Sequence, residues 1–231
     1  METILKLEDV RKSYAKAERK VEALRGVSLS ITKGELLAVV GPSGSGKTTL
    51  LNIIGCLDLP TSGTVVYNGR DLAGMSEAEL ADYRKHNISF VFQSYNLIPV
   101  LTVAENVELP LVLERKLGRV EIRERAQEVI KAVGLAEMND RYPRELSGGQ
   151  EQRVAIARAL VKTPIVVLAD EPTANLDSHT AEEIVALMER MNEARGTTFV
   201  FSTHDHLVER HAHRVVVIRD GIVASDERRT A

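Results

Sequence analysis

Disulfides, membrane spans and a charge bias are all missing from this chain. Cys56 is the only cysteine among 231 residues, so no internal disulfide is available, and its thiol reads as a small apolar group buried on the helix after a glycine-rich loop. No apolar run approaches the roughly eighteen residues a membrane helix needs, and no basic-then-apolar leader opens the sequence. A role at a membrane would therefore be by docking. Thirty basic residues stand against thirty-three acidic ones, a net charge of -3, which leaves no global basic field for nucleic acid or an anionic lipid surface. Direct nucleic-acid binding is not expected. Low-complexity linkers and solenoid-period repeats are absent too. With 44% hydrophobic residues the default is one compact unit with a proper core.

Against these absences stands one dense motif. Gly41-Pro42-Ser43-Gly44-Ser45-Gly46-Lys47-Thr48 fits the phosphate-loop pattern G-x-x-x-x-G-K-[ST], between an apolar strand at 36–40 and a helix expected over 48–57. At average glycine usage, chance produces such a match in about one chain in a hundred of this length. Glycines let the backbone curl so that successive N–H groups face the phosphates, and the helix dipole favours the same charge. Lys47 would reach the β- and γ-phosphates, Thr48 would hold Mg²⁺, and Thr49 extends the hydroxyl pair.

Two further elements fit that loop. The apolar run 165–169 leads directly into Asp170 and Glu171, so a strand delivers two adjacent carboxylates to the nucleotide edge. Asp170 would bind Mg²⁺ directly or through water, while Glu171 would orient and polarise an attacking water. Ser147, Gly148, Gly149 and Gln150 open another apolar-periodic helix, forming a second anion-receiving helix start with hydroxyl and N–H donors.

Short apolar strands at 4–7, 36–40, 64–67, 88–92, 165–169, 198–202 and 215–218 alternate with amphipathic stretches, which predicts an α/β sheet between helices. The stretches 101–113, 120–133 and 150–161 predict a helical subdomain inserted at about 94–160, splitting a core made of 1–93 and 161–231. The charged segment 226–231 is expected to fray.

GPSGSGKT, LSGGQ and IVVLADEP, in that order, resemble the ATP-binding subunit of an ABC transporter over nearly the whole chain. The resemblance implies a P-loop core with a mixed sheet, an N-terminal antiparallel β subdomain and the helical insertion. It further implies that Gln93 senses Mg²⁺ and the attacking water, that Asn175-Leu176-Asp177 is the D-loop, and that His204 contacts the γ-phosphate. Tyr14 falls where the family places an aromatic under the adenine. Two copies would dock head to tail, each ATP lying between the phosphate loop of one and Ser147 to Gln150 of the other. A metal site among His204, His206, His211 and His213 is not expected, because the last three lie on a polar segment with no cysteine nearby.

Leu51-Asn52-Ile53-Ile54-Gly55-Cys56-Leu57-Asp58 and Phe90-Val91-Phe92-Gln93 are similar to the lipoprotein-releasing and macrolide-export group. That likeness implies a bacterial inner-membrane permease partner and a peripheral place on the membrane's cytoplasmic face. The loop Ser94 to Pro99 would dock the permease. Two departures stand out: Glu151 follows LSGGQ where glutamine is commoner, and Ala174 replaces the usual glycine before Asn175. The competing reading, a soluble ABC ATPase acting on DNA or ribosomes, lacks its long coiled coil or second fused ATPase domain. A GTPase would need an Asn-Lys-x-Asp guanine reader, which is not present, and a small-molecule kinase leaves LSGGQ unexplained.

Overall fold

The computed structural model describes residues 2–16 and 19–229. Its centre is a six-stranded sheet in the order β10-β9-β3-β8-β7-β6, built from β3 (Leu36–Val40), β6 (Ile88–Phe92), β7 (Val166–Asp170), β8 (Thr198–Thr203), β9 (Arg214–Arg219) and β10 (Ile222–Arg228). The first five run parallel, and β10 closes one edge antiparallel to β9. Every residue of β3 and β8 is buried. A sheet covered on both faces selects apolar runs such as Leu36 to Val40 instead of alternating ones.

The four-stranded antiparallel sheet has the order β2-β1-β4-β5, with β1 (Thr3–Lys16), β2 (Arg19–Thr32), β4 (Ser62–Tyr67) and β5 (Arg70–Asp71). One apolar cluster joins Leu5, Leu7, Val27 and Ile31 of this sheet to Leu37 and Val39 of β3 and to Leu50 and Ile53 of α1 (Lys47–Ile54). The phosphate-loop helix is thus clamped between two sheets.

Helix α2 (Glu77–Asn87) precedes β6, and three helices lie in sequence between β6 and β7: α3 (Val103–Glu114), α4 (Arg119–Ala132) and α5 (Gly148–Leu160). α3 packs on α4 and α5, burying Val107, Leu111, Ala126, Ile130, Val154 and Ile156 in the cluster that also holds α6 (Ser178–Arg195). A six-residue helix, α7 (His206–His211), links β8 to β9.

Three expectations are corrected. The helix after the phosphate loop stops at Ile54 and not at 57: Gly55 ends it, and Cys56 sits beyond it in a left-handed conformation, φ 54°. Its thiol is buried all the same, and burial pushes its pKa up to about 11, so it is inert packing. Residues 226–228 do not fray but complete β10. Arg214 donates through Nε and Nη2 to the two carboxylate oxygens of Asp226, at 2.6 Å each, and through Nη1 to Glu35 at 3.1 Å. That two-toothed pair turns a charged tail into a sheet edge; residues 230 and 231 lie outside the described chain. The strand expected at 4–7 is the start of a much longer β1, extended by its pairing with β2.

Candidate functional site

Two glycines of the phosphate loop are dictated by close approach. A Cβ on Gly41, φ 152°, would lie 2.1 Å from the Ile218 carbonyl oxygen, and one on Gly46, φ 109°, 2.6 Å from that of Ala23. The loop is therefore pressed against β9 and β2 at these two positions, where no side chain fits. Lys47, almost fully buried, folds back to donate to the carbonyls of Gly41 at 2.7 Å and Pro42 at 3.1 Å. Ser45 is buried beneath the loop, its Oγ without a partner among the described residues.

The strand ends bring the rest. A cavity of about 680 Å³ is lined by Ser43, Gly44, Gly46, Lys47, Thr48 and Thr49 from the loop and α1, by Gln93 after β6, by Asp170 and Glu171 at the end of β7, and by His204 after β8. Ligand sites of such sheets lie beyond the carboxyl ends of the strands, and these residues occupy that edge. A hollow of about 750 Å³ near Leu160, Met191 and Arg195 brings together none of these residues. Burial pushes the Asp170 carboxyl up.

Glu171 is held from two sides. Its Oε1 lies 2.8 Å from His204 Nδ1, and its Oε2 accepts from Thr203 Oγ1 at 3.1 Å. Its backbone is left-handed, φ 47°, with the N–H donated to the Ser202 carbonyl. Such a conformation in a non-glycine residue is a cost that proteins carry mostly at functional sites. Asp205, after the histidine, accepts from Thr173 Oγ1 at 2.9 Å and caps α7 at Leu207. The segments at 171–173 and 203–205 are thereby tied together.

Gln93 and Asn175 clasp one another: the Asn175 amide donates to the Gln93 carbonyl at 3.0 Å, and the Gln93 amide reaches Asn175 Oδ1 at 3.4 Å. Ser147 caps α5 by accepting from Gln150 N at 3.3 Å, while Gln150 Oε1 accepts from Ser147 N at 2.9 Å. That reciprocal box fixes the Ser147-Gly148-Gly149-Gln150 helix start. Asp177 caps α6 through Thr180, and a Cβ on Gly149 would lie 2.4 Å from Thr180 Cγ2. The two helix starts therefore touch.

Not every expected residue reaches the cavity. Ser147 to Gln150 and Asp177 do not line it, and neither does Tyr14, whose hydroxyl donates to Asp58 at 2.8 Å with Lys12 5.0 Å from its ring. Sequence reasoning passed over Ser202, took Ala174 only as a departure from the family pattern though both line the cavity, and missed the bracing roles of Thr203 and Asn175. Adjacency to His204 was the signal for Thr203; the clasp on Gln93 spans 82 positions and had none.

A phosphate loop, an acidic strand end and a helical insertion between β6 and β7 define a nucleoside triphosphatase of the ATP-binding cassette class. The profile of the family described as "ABC transporter" matches residues 24–174, and the chain belongs to that family: it is an ATPase cassette. It is 49% identical over 224 residues to the macrolide export ATP-binding/permease protein MacB of Shigella flexneri, covering 96% of this chain but 34% of that protein. The chain thus spans about a third of the length of that relative. An uncharacterized ABC transporter ATP-binding protein of Thermotoga maritima is 48% identical over 229 residues, covering 99% of this chain and 97% of the other. Among solved structures, the dimeric post-hydrolysis state of an ATP-binding cassette bound to ADP and Pi superposes with a TM-score of 0.89 at 45% identity, over 99% of this chain and 100% of that one.

Proposed function

We propose that the chain is the ATP-hydrolysing motor of a bacterial transporter complex and that two copies close head to tail around two ATP molecules to drive a separate permease. One observation carries the reading. Lys47, Thr48, Gln93, Asp170, Glu171 and His204 share one cavity, while the second phosphate-receiving helix start, Ser147 to Gln150, lies outside it. A site complete on one side and an anion receptor facing elsewhere complement each other only between two molecules.

In this scheme the loop N–H groups and the α1 dipole receive the phosphates, and Lys47 exchanges the Gly41 and Pro42 carbonyls for β- and γ-phosphate oxygens. Tyr14 would pack against an adenine that extends beyond the cavity. The Thr48 hydroxyl, the Asp170 carboxylate and the Gln93 amide oxygen are hard donors of residues that line one cavity, a set that fits Mg²⁺. Bound there, Mg²⁺ would supply charge neutralisation to the phosphates. Glu171, aimed by His204 and Thr203, orients the attacking water and accepts its proton; His204 also contacts the γ-phosphate. Ser147, Gly148, Gly149, Gln150 and Asp177 of one copy face the ATP of the other. Catalysis is chiefly positioning and electrostatics, and losing the γ-phosphate removes the charge that bridges the copies, so the dimer opens.

The permease would seat in a groove of about 490 Å³ between α2, α3, α5 and the sheet, lined among others by Leu57, Arg84, Phe90, Phe92, Asn96 and Leu109. Among the described residues no helix is long and apolar enough to cross a membrane; docked on a permease, the chain would sit peripherally on the cytoplasmic face. The MacB relative is named for macrolide export; lipoprotein release, peptide export or mechanical transmission are carried by the same machinery, since these motifs serve hydrolysis.

The test is Glu171→Gln. An ATP-stabilised dimer by light scattering, with turnover nearly abolished, is expected; a variant that stays monomeric with ATP, or turns over at the parent rate, sinks the shared site or the role of Glu171. Recovering that variant from membranes with ATP should bring a permease with it, whereas only soluble partners would favour an action on DNA or ribosomes.

A further inference from the structure

Two residues after Gln93 the chain makes a turn that ordinary side chains resist. Tyr95 and Asn96 are both left-handed, with φ 59° and φ 51°; asparagine tolerates this region, but tyrosine does so only when something holds it. What holds it is on another element. Arg158, half-buried in the last turn of α5, donates through Nη2 to the Tyr95 carbonyl at 2.7 Å and through Nη1 to the Asn96 carbonyl at 2.6 Å. Both carbonyls of the turn are thus gripped by one planar fork.

The same turn touches the start of α5. A Cβ on Gly148 would lie 3.0 Å from the Tyr95 hydroxyl, so the phenol rests where the helix begins. Gln93 is consequently fixed on two sides: by Asn175 through the clasp described above, and by Arg158 through the turn that follows it.

We propose that Arg158 is a positioning residue for ATP hydrolysis, holding the left-handed Tyr95–Asn96 turn so that Gln93 is presented to the nucleotide cavity. The guanidinium makes both bonds to the turn, and its rigid geometry matters. A lysine keeps the charge but cannot grip two carbonyls in a fixed plane. Arg158 does not line the cavity, so its effect falls on turnover and not on nucleotide affinity. The inference rests on the reading of Gln93 as a residue of the nucleotide site.

Steady-state ATPase kinetics of Arg158→Lys, Gln93→Ala and the double variant test it. Arg158→Lys should lower kcat about tenfold, in the range a misplaced group costs, with KM for ATP within twofold of the parent. In the Gln93→Ala background the same change should cost nothing further, because Arg158 acts through that residue. Multiplicative losses in the double variant, or a parent kcat for Arg158→Lys beside a slow Gln93→Ala, would overturn the proposal. Gln93→Ala at the parent rate would instead overturn the reading it rests on. Should Arg158→Lys fail to fold, Asn96→Val leaves the guanidinium in place and makes the left-handed turn costly; a kcat-only loss is again expected, and an unchanged kcat counts against the latch.

Discussion

His211 shows how one residue couples two helices through charge. Its Nδ1 lies 2.8 Å from Glu189 and its Nε2 3.3 Å from Glu182, both on α6, and Arg210 shares Glu182 at 3.8 Å. With a carboxylate at each ring nitrogen, both bonds exist only if the ring carries two protons. Burial alone would lower its pKa, but the hydrogen bonds to Glu189 and Glu182 outweigh it and raise the pKa above 6.5. A folded-state pKa above the unfolded one stabilises fully below the unfolded value, and that stabilisation is lost as pH rises through the folded value. The parent should therefore melt above His211→Gln at pH 6, by less than about 1 kcal/mol because its partner Glu182 is solvent-exposed, and the two should converge as pH rises through the raised pKa. A gap independent of pH would show that the ring contributes by packing and not by charge.

At the scale of elements, α3 is anchored by a buried amide. Asn106, wholly buried, accepts from Ile98 N at 2.8 Å and donates to the carbonyls of Ile98, Leu101 and Thr102 at 3.1, 3.0 and 2.9 Å. It folds the loop at 98–102 onto the helix. Asn106→Leu strands those backbone groups and should cost about 3 kcal/mol, read as a lowered melting temperature with the two-state transition kept. A loss under 0.5 kcal/mol would mean that the loop's groups find water instead.

How legible such elements were depended on their signal. β3 was readable to the residue because it is an unbroken apolar run, and β6 because only Ser89 interrupts its apolar residues. β2 was not seen, though Val27, Leu29 and Ile31 alternate with polar residues and are all buried; its period of two was present but lies beside a charged stretch. α2 was not seen either, although Ser76 and Glu79 form a capping box at its start. The edge strand β10 was beyond reach, because only the fold brings Arg214 to Asp226. In the candidate site, the motif residues were legible as local patterns. Their braces, Asn175 on Gln93 and Arg158 on the turn at 95–96, join positions that are 82, 63 and 62 residues apart.

For the whole molecule the open question is what faces Ser147 to Gln150, and Glu151 bears on it directly. Its carboxylate stands in the first turn of α5, its N–H bonded to the Ser147 carbonyl. There it suits the helix dipole within one chain but opposes the phosphate that a second copy would present. Burial raises its pKa, so it takes up a proton at a higher pH than an ordinary glutamate. Measured by light scattering with ATP in the Glu171→Gln background, adding Glu151→Gln should lower the concentration at half-dimerisation several-fold at neutral pH. The advantage should shrink as pH falls through the raised pKa, because protonation removes the same charge that the substitution removes. It should also shrink at high salt, which screens the opposition. Equal dimerisation of the two proteins at neutral pH and low salt would place Glu151 away from any phosphate, and the head-to-tail arrangement would then have to be redrawn around a different face of α5.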